Sequence, residues 1–199
     1  MKISSWITSL RARKILALSF YPLEEDPAQR ICVVPPLLRP EIFTQPVKND
    51  HFITGYILNS GFAEEIKAWH QAFPNEEAHF FWDKKDAPDT LEIEKNLTFH
   101  KIQDTLFLDL LSRCKAFACT AGFESVCEAM YFGKPTLMVP VHIEQECNAH
   151  DGIRAGAGIS SDHFDLESLL KSIDSYHPKD EYRAWVLSAE TLYIKNLTK

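Results

Sequence analysis

Thr120-Ala121-Gly122-Phe123-Glu124-Ser125-Val126-Cys127-Glu128-Ala129 decides the fold, together with Gly133-Lys134-Pro135, Pro140 and Glu144-Gln145-Glu146-Cys147-Asn148-Ala149. Ahead of it, Lys115 to Cys119 has the apolar run of a buried strand. The small residues after Cys119 predict a turn, and a short helix leaves that turn until Gly133-Lys134-Pro135 stops it. Thr136 to Val139 reads as a second apolar strand ending at Pro140, and a polar loop follows. Strand, turn, helix, strand, loop is the repeating unit of an α/β fold. Open sheets of this kind bind ligands in the loops at the carboxyl ends of their strands.

The same alternation extends in both directions. Upstream, Phe52 to Leu58 predicts a strand, Asn59-Ser60-Gly61 a turn able to cap a helix, and Phe62 to Phe73 an amphipathic helix with Phe62, Ile66, Trp69 and Phe73 on one face. Ala78 to Trp82 and Leu97 to His100 predict two more strands, separated by a charged loop from Asp83 to Asp89 and a stretch from Leu91 with little periodic signal. Asp104 to Cys114 predicts a helix. Downstream come a helix from Gln145 to Ala155, a short strand around Ile159, a small helix capped by Asp165, and one long helix from Asp180 to about Ile194. The fold class is α/β, a Rossmann-like parallel sheet of about six strands with helices on both faces and right-handed crossovers.

The first fifty residues read differently. A short basic amphipathic helix over 1–14, strands at 15–20 and 31–34, and Pro35, Pro36 and Pro40 in quick succession end in an extended, stiff linker. Two short strands and a helix bury too little to stand alone. Residues 1–50 therefore read as the remnant of an N-terminal domain plus a linker, and 51–199 as the main domain.

The chain of 199 residues carries a formal charge of −7, so no broad basic footprint for nucleic acid is present. Its five cysteines include no Cys-x-x-Cys pair and accompany no secretion signal, which favours reduced, structural thiols in an intracellular protein. No apolar run is long enough to cross a bilayer. The amphipathic start, Ile3 to Lys14, reads first as a segment that packs on another part of the protein and leaves room for peripheral membrane contact.

Chemically, Thr120 to Ser125 places backbone amides and a hydroxyl at a helix start, where an anion such as a diphosphate is favoured without a metal. A plain strand-to-helix turn has the same composition. Glu128 lies one helical turn further on, among Cys127, Ala129 and Met130. There it can accept both hydroxyls of a vicinal diol, or be a solvated helix charge. Glu144 and Gln145 pair an acceptor with a mixed donor-acceptor suited to sugar hydroxyls, or cap the next helix. His142 and His150-Asp151 carry weaker signals. Ser125 lacks the Gly-x-Ser-x-Gly elbow and an adjacent base, and neither the dinucleotide fingerprint nor the Walker pattern is present, Gly133-Lys134 matching only superficially.

Together these residues resemble the donor-binding motif of GT-B glycosyltransferases. The nearest shapes are the nucleotide-sugar-dependent glucuronosyl and glucosyl transferases and the MurG-like enzymes. The family pattern runs Gly-Gly-x-x-Ser/Thr-x-x-Glu, Gly-x-Pro, then Pro-x-x-x-Asp-Gln-x-x-Asn, and the resemblance is sharpest over 115–160. It implies that Gly122, Phe123 and Ser125 contact the diphosphate, with Ala121 standing for the first glycine. Glu128 would hold the ribose, and Glu144 and Gln145 the donor sugar. Asn59, Ser60 and Gly61 fall where the family has a glycine-rich loop under the cleft, and Ile102, after Phe99-His100-Lys101, falls where the uracil is held. Thr120 stands where plant-type members have a phosphate-touching histidine.

The resemblance implies transfer of a sugar from a UDP-type donor to an acceptor hydroxyl, with no metal and no cofactor beyond the sugar nucleotide; the thiol reading above sets it in the cytoplasm. The general base of inverting members lies in an acceptor domain, and no base in this chain fills that role. The chain thus reads as the donor-binding portion of an enzyme, inactive without an acceptor domain present elsewhere or supplied by a partner. The other readings are a sugar-nucleotide 2-epimerase and a non-catalytic nucleotide-binding or structural domain.

Overall fold

The computed structural model describes residues 12–198. Most of the helix expected over 1–14, and with it most of the membrane-contacting segment, lies outside the described residues. Two compact units are present: one joins 12–37 to 180–198, and the other runs from Leu38 to Lys179.

In the first unit, β1 (Ile15–Leu18) and β2 (Ile31–Val34) pair in parallel, Ile15 opposite Ile31 and Leu18 opposite Val34. The single long helix expected at the carboxyl end is two, α6 (Asp180–Leu187) and α7 (Ala189–Leu197). They part at Ser188, whose hydroxyl donates to Trp185 O at 2.6 Å, a local bond that competes with the helix ladder. Trp185 Nε1 donates to Ser19 O and Tyr193 Oη to Pro35 O, so these helices fasten both strand ends.

The second unit contains β3 (Phe52–Ile57), α1 (Phe62–Ala72), β4 (Glu77–Trp82), β5 (Thr90–Glu94) and β6 (Leu97–Lys101). It continues with α2 (Asp104–Arg113), β7 (Ala116–Cys119), α3 (Phe123–Tyr131), β8 (Thr136–Met138), α4 (Ile143–Ala155), β9 (Gly158–Ser160) and α5 (Leu166–Ser172). The sheet order is β5-β6-β4-β3-β7-β8-β9, and every pairing is parallel except β5 with β6. This is an α/β fold with a mostly parallel sheet, as expected, but with seven strands rather than about six.

The added strand is β5. Its Leu91 and Ile93 pack on the core between exposed Thr90 and Glu92, and Asn96 at φ 71° makes the hairpin turn into β6. Asp165 caps α5 as expected, its Oδ1 accepting Ser168 N–H at 3.0 Å.

Ala116 to Cys119 is buried at every position, as a central parallel strand covered by helices on both faces must be. On one face Ile53, Ile57, Phe80, Phe99 and Leu137 pack with Ala63, Ile66, Phe164 and Leu169. On the other, Phe107 meets both Phe81 and Phe117 edge-on. Gly55 permits a close approach in this core: a Cβ there would lie 2.3 Å from the Phe80 ring and 2.7 Å from Ala118 O. The chain leaves β3 toward β4 and β6, then returns to the opposite side of β3 as β7. The carboxyl ends of β3 and β7 therefore flank the topological switch point, where open α/β sheets bind ligands.

On the face of β4 and β6 that carries Phe81, His79 Nδ1 and His100 Nε2 lie 3.1 Å apart. Glu77 Oε1 is 3.0 Å from His79 Nε2, and Thr90 Oγ1 is 3.3 Å from His100 Nδ1. Burial, then the neighbouring His79, pushes the His100 pKa down to about 4. The unfolded chain takes up this proton near pH 6.5, before the folded one does. The stability that rests on neutral His100 is complete above that pH and is lost as the pH falls toward 4.

Two outcomes follow for stability. Urea unfolding at pH 5 should give a free energy lower than at pH 7 by on the order of 1–2 kcal/mol, and His100→Gln should flatten that slope. Gly55→Ala should cost about 1–3 kcal/mol through overpacking against backbone and ring; a wild-type urea midpoint would contradict that.

Candidate donor site

The site is built at the end of β7. Thr120-Ala121-Gly122 turns the chain into α3, and Ala121 holds φ 54°, the left-handed region that a glycine would enter without strain. Asn148 of α4 fixes this turn by donating Nδ2–H to Ala121 O at 3.1 Å. Gly122 is the N-cap of α3, so no side chain caps the helix, and a Cβ at Gly122 would meet only Ser125 Oγ at 3.4 Å. The first turn of α3 thus presents its amino end to an open approach. Ser125 Oγ donates to Gly122 O at 3.2 Å. Thr120 Oγ1 is buried with no hydrogen-bond partner. Beside it, burial pushes the Cys119 thiol up to about 12, which leaves it protonated and inert.

Glu128 is on the inner side of α3, with its side chain only 4% exposed. A carboxylate there requires a partner, and the partner is Arg39. Arg39 Nε donates to Oε1 at 2.6 Å and Nη2 to Oε2 at 3.3 Å. Burial raises the Glu128 pKa, the Arg39 guanidinium pulls it back, and Glu124 and Asp104 add smaller upward pushes. Arg39 Nη1 also lies 3.9 Å from Asp104 Oδ1, at the start of α2. Ile102, two residues before Asp104, is exposed.

α4 begins at Ile143, earlier than expected, so Glu144 and Gln145 both lie in its first turn. They do not act side by side. Glu144 is exposed, whereas Gln145 is buried and its Oε1 accepts Val141 N–H at 2.9 Å, holding the loop after β8. Asn59, Ser60 and Gly61 are exposed at the end of β3, across the switch point from Thr120–Gly122, and Asn59 Oδ1 accepts Gly61 N–H at 2.9 Å. His142 and His150 are exposed.

Two cations go beyond the sequence reading. Arg39 was hidden in the proline-rich linker, and no local spacing relates it to a glutamate so distant in sequence. Lys134, whose Gly-Lys looked incidental, is fully buried: its Nζ donates to Lys48 O and to Asn49 Oδ1, the latter at 2.8 Å. With Phe43 edge-on to Tyr131, these contacts lay residues 39–49 along α3. Among the described residues no cluster of three metal-ligating side chains occurs, and no helix is long and apolar enough to cross a membrane.

Residues 8–175 match the profile of glycosyl transferase family 1, and the chain belongs to that family. No curated protein matches it significantly. Among solved structures it is similar to the glycosyltransferase of kitacinnamycin, with 18% identity over 99% of this chain and 55% of that one, TM-score 0.54. It is also similar to the glycosyltransferase SnogD from Streptomyces nogalater, with 15% identity over 99% and 61%, TM-score 0.54. A third likeness is to LpCGTa in complex with UDP, with 16% identity over 85% and 42%, TM-score 0.50. These likenesses define the fold as that of GT-B glycosyltransferases. The chain spans 42–61% of the length of these structures.

Asn148→Ala should release the strained Ala121 turn and lower the unfolding free energy by about 1–2 kcal/mol, measured in urea. An unchanged midpoint would show that the turn holds without it.

Proposed function

We propose that this chain binds the nucleoside-diphosphate end of a sugar donor, of the UDP type, for transfer of the sugar to an acceptor hydroxyl. The observation that carries this reading is an uncapped helix amino end at the switch point with a buried glutamate one turn inside. The first-turn amides of α3 and the Ser125 hydroxyl would receive the diphosphate, and Glu128 would accept the ribose hydroxyls. Exposed Glu144 is the remaining acceptor for the sugar, while Gln145 shapes the loop. Ile102 and Asn59-Ser60-Gly61 would border the base and the cleft. Preoriented amides facing the leaving diphosphate would supply the main electrostatic stabilisation. An acceptor domain, elsewhere in the polypeptide or on a partner, would supply the base and complete the enzyme. Five free cysteines suit a reducing compartment, and we place the reaction in the cytoplasm.

A domain that binds no nucleotide is the competing reading, and one observation favours it: both Glu128 oxygens are already engaged by Arg39. Calorimetric titration with UDP, GDP and ADP separates the two. Saturable, UDP-selective binding is expected, and Glu128→Gln should weaken it by roughly 1.5–3 kcal/mol. A folded protein that binds none of the three would refute the donor reading, and unchanged affinity in Glu128→Gln would refute the ribose assignment.

A further inference from the structure

We propose that Arg39 is a positioning residue of the donor site, holding Glu128 as an oriented carboxylate ready for the ribose hydroxyls. The inference rests on the donor reading above and deepens it. Glu128 is nearly shut off from water, while Arg39, one-third exposed, is the part of the pair that meets solvent. Two N–H groups of one rigid guanidinium reach the two carboxylate oxygens, which fixes the plane of the carboxylate as well as its charge. An ionised carboxylate offers about four acceptor positions. The guanidinium uses one on each oxygen, which leaves one on each for a vicinal diol.

The charges around the pair make Arg39 necessary. Glu124 on the same helix and Asp104 at the start of α2 are both acidic and both oppose ionisation of Glu128, as burial does. Among the described residues, Arg39 is the cation that favours it. Protonated Glu128 would turn one acceptor into a donor and could no longer receive both ribose hydroxyls. Arg39 also sits where the linker enters this unit, with Ile42 buried just beyond it and Phe43 against Tyr131. Its placement is therefore set by packing rather than by a mobile side chain alone.

The test follows the carboxyl group directly and the nucleotide separately. In protein labelled with ¹³C at glutamate side-chain carboxyls, the Glu128 resonance is assigned by its loss in Glu128→Gln. It is then titrated between pH 4 and 8 in wild type, Arg39→Gln and Arg39→Lys, folding being checked by urea midpoint. UDP affinity is measured over pH 6–8 in the same proteins, so that the titration of the phosphate itself cancels in the comparison.

Arg39→Gln should move the Glu128 midpoint upward by about one pH unit or more and weaken UDP binding more at pH 6 than at pH 8, by up to about tenfold for each unit of that movement and beyond any change in wild type. Arg39→Lys, which keeps the charge, should return both toward wild type. An unmoved midpoint, or a loss of affinity equal at every pH, would overturn the positioning role while leaving the donor reading intact. Tighter UDP binding in Arg39→Gln at every pH would overturn it in favour of a plug that ribose must displace. A midpoint shifted in Arg39→Gln, together with a folded wild-type protein that binds no nucleotide, would overturn the donor reading, and with it any part for Arg39 in it.

Discussion

The ion pair between Glu128 and Arg39 is the constraint around which the second unit is arranged. Val126, Cys127, Ala129 and Met130 make α3 an apolar helix against the sheet, and an apolar residue at 128 would pack at least as well. Taking a carboxylate out of water costs several kcal/mol, and pairing returns that only when the geometry is good. Stability alone therefore does not account for Glu128. The proposed donor role would account for it, because a buried, oriented anion next to a helix amino end would suit a ligand with hydroxyls beside a diphosphate. The cost of burial also explains the path of the chain. Residues 39–49 do not leave the unit as a free linker but run along α3, tied by Arg39 at one end and by Lys134 at the other.

Sheet order places the remaining parts. Because β7 lies on the far side of β3 from β4 and β6, the loops after β3 and β7 face each other across the switch point. α2 then crosses from β6 back to β7, which carries Asp104 to the neighbourhood of Arg39 although β6 is two strands removed from β3. Residues far apart along the sheet edge therefore meet at one buried carboxylate. Chain topology does this with ordinary short connections.

Much of this was legible in the sequence, and the parts that were not share a physical cause. The runs at 52–58, 78–82, 115–119 and 136–139 announced themselves because parallel strands buried on both faces are continuously apolar. The turn at 120–122 was legible from its small residues, and the apolar surroundings of Glu128 from Cys127, Ala129 and Met130. β5 escaped because its signal is an alternation, Leu91 and Ile93 between polar neighbours, short enough to resemble a charged loop. The break at Ser188 escaped because one hydroxyl bond decides it. Arg39 and Lys134 escaped because nothing local distinguishes a cation that will be buried from one that will be solvated. Only the tertiary partner, Glu128 or the Lys48 carbonyl, makes the difference.

α4 shows how one helix gives adjacent polar residues different surroundings. Gln145, Asn148, Ala149 and Gly152 follow helical spacing and share its inner face. Gln145 holds the loop after β8 through Val141 N–H, and Asn148 holds the turn after β7 through Ala121 O. Gly152 lets Met138 approach, since a Cβ there would lie 2.9 Å from its sulfur. These residues fix the two loops that a donor would meet. Glu144, next to Gln145 but rotated about 100° around the helix, is left outward. Adjacent polar residues in a sequence thus acquire opposite tasks from helical geometry alone. Here the amides of Gln145 and Asn148 set the positions of backbone groups, and the acid of Glu144 faces solvent.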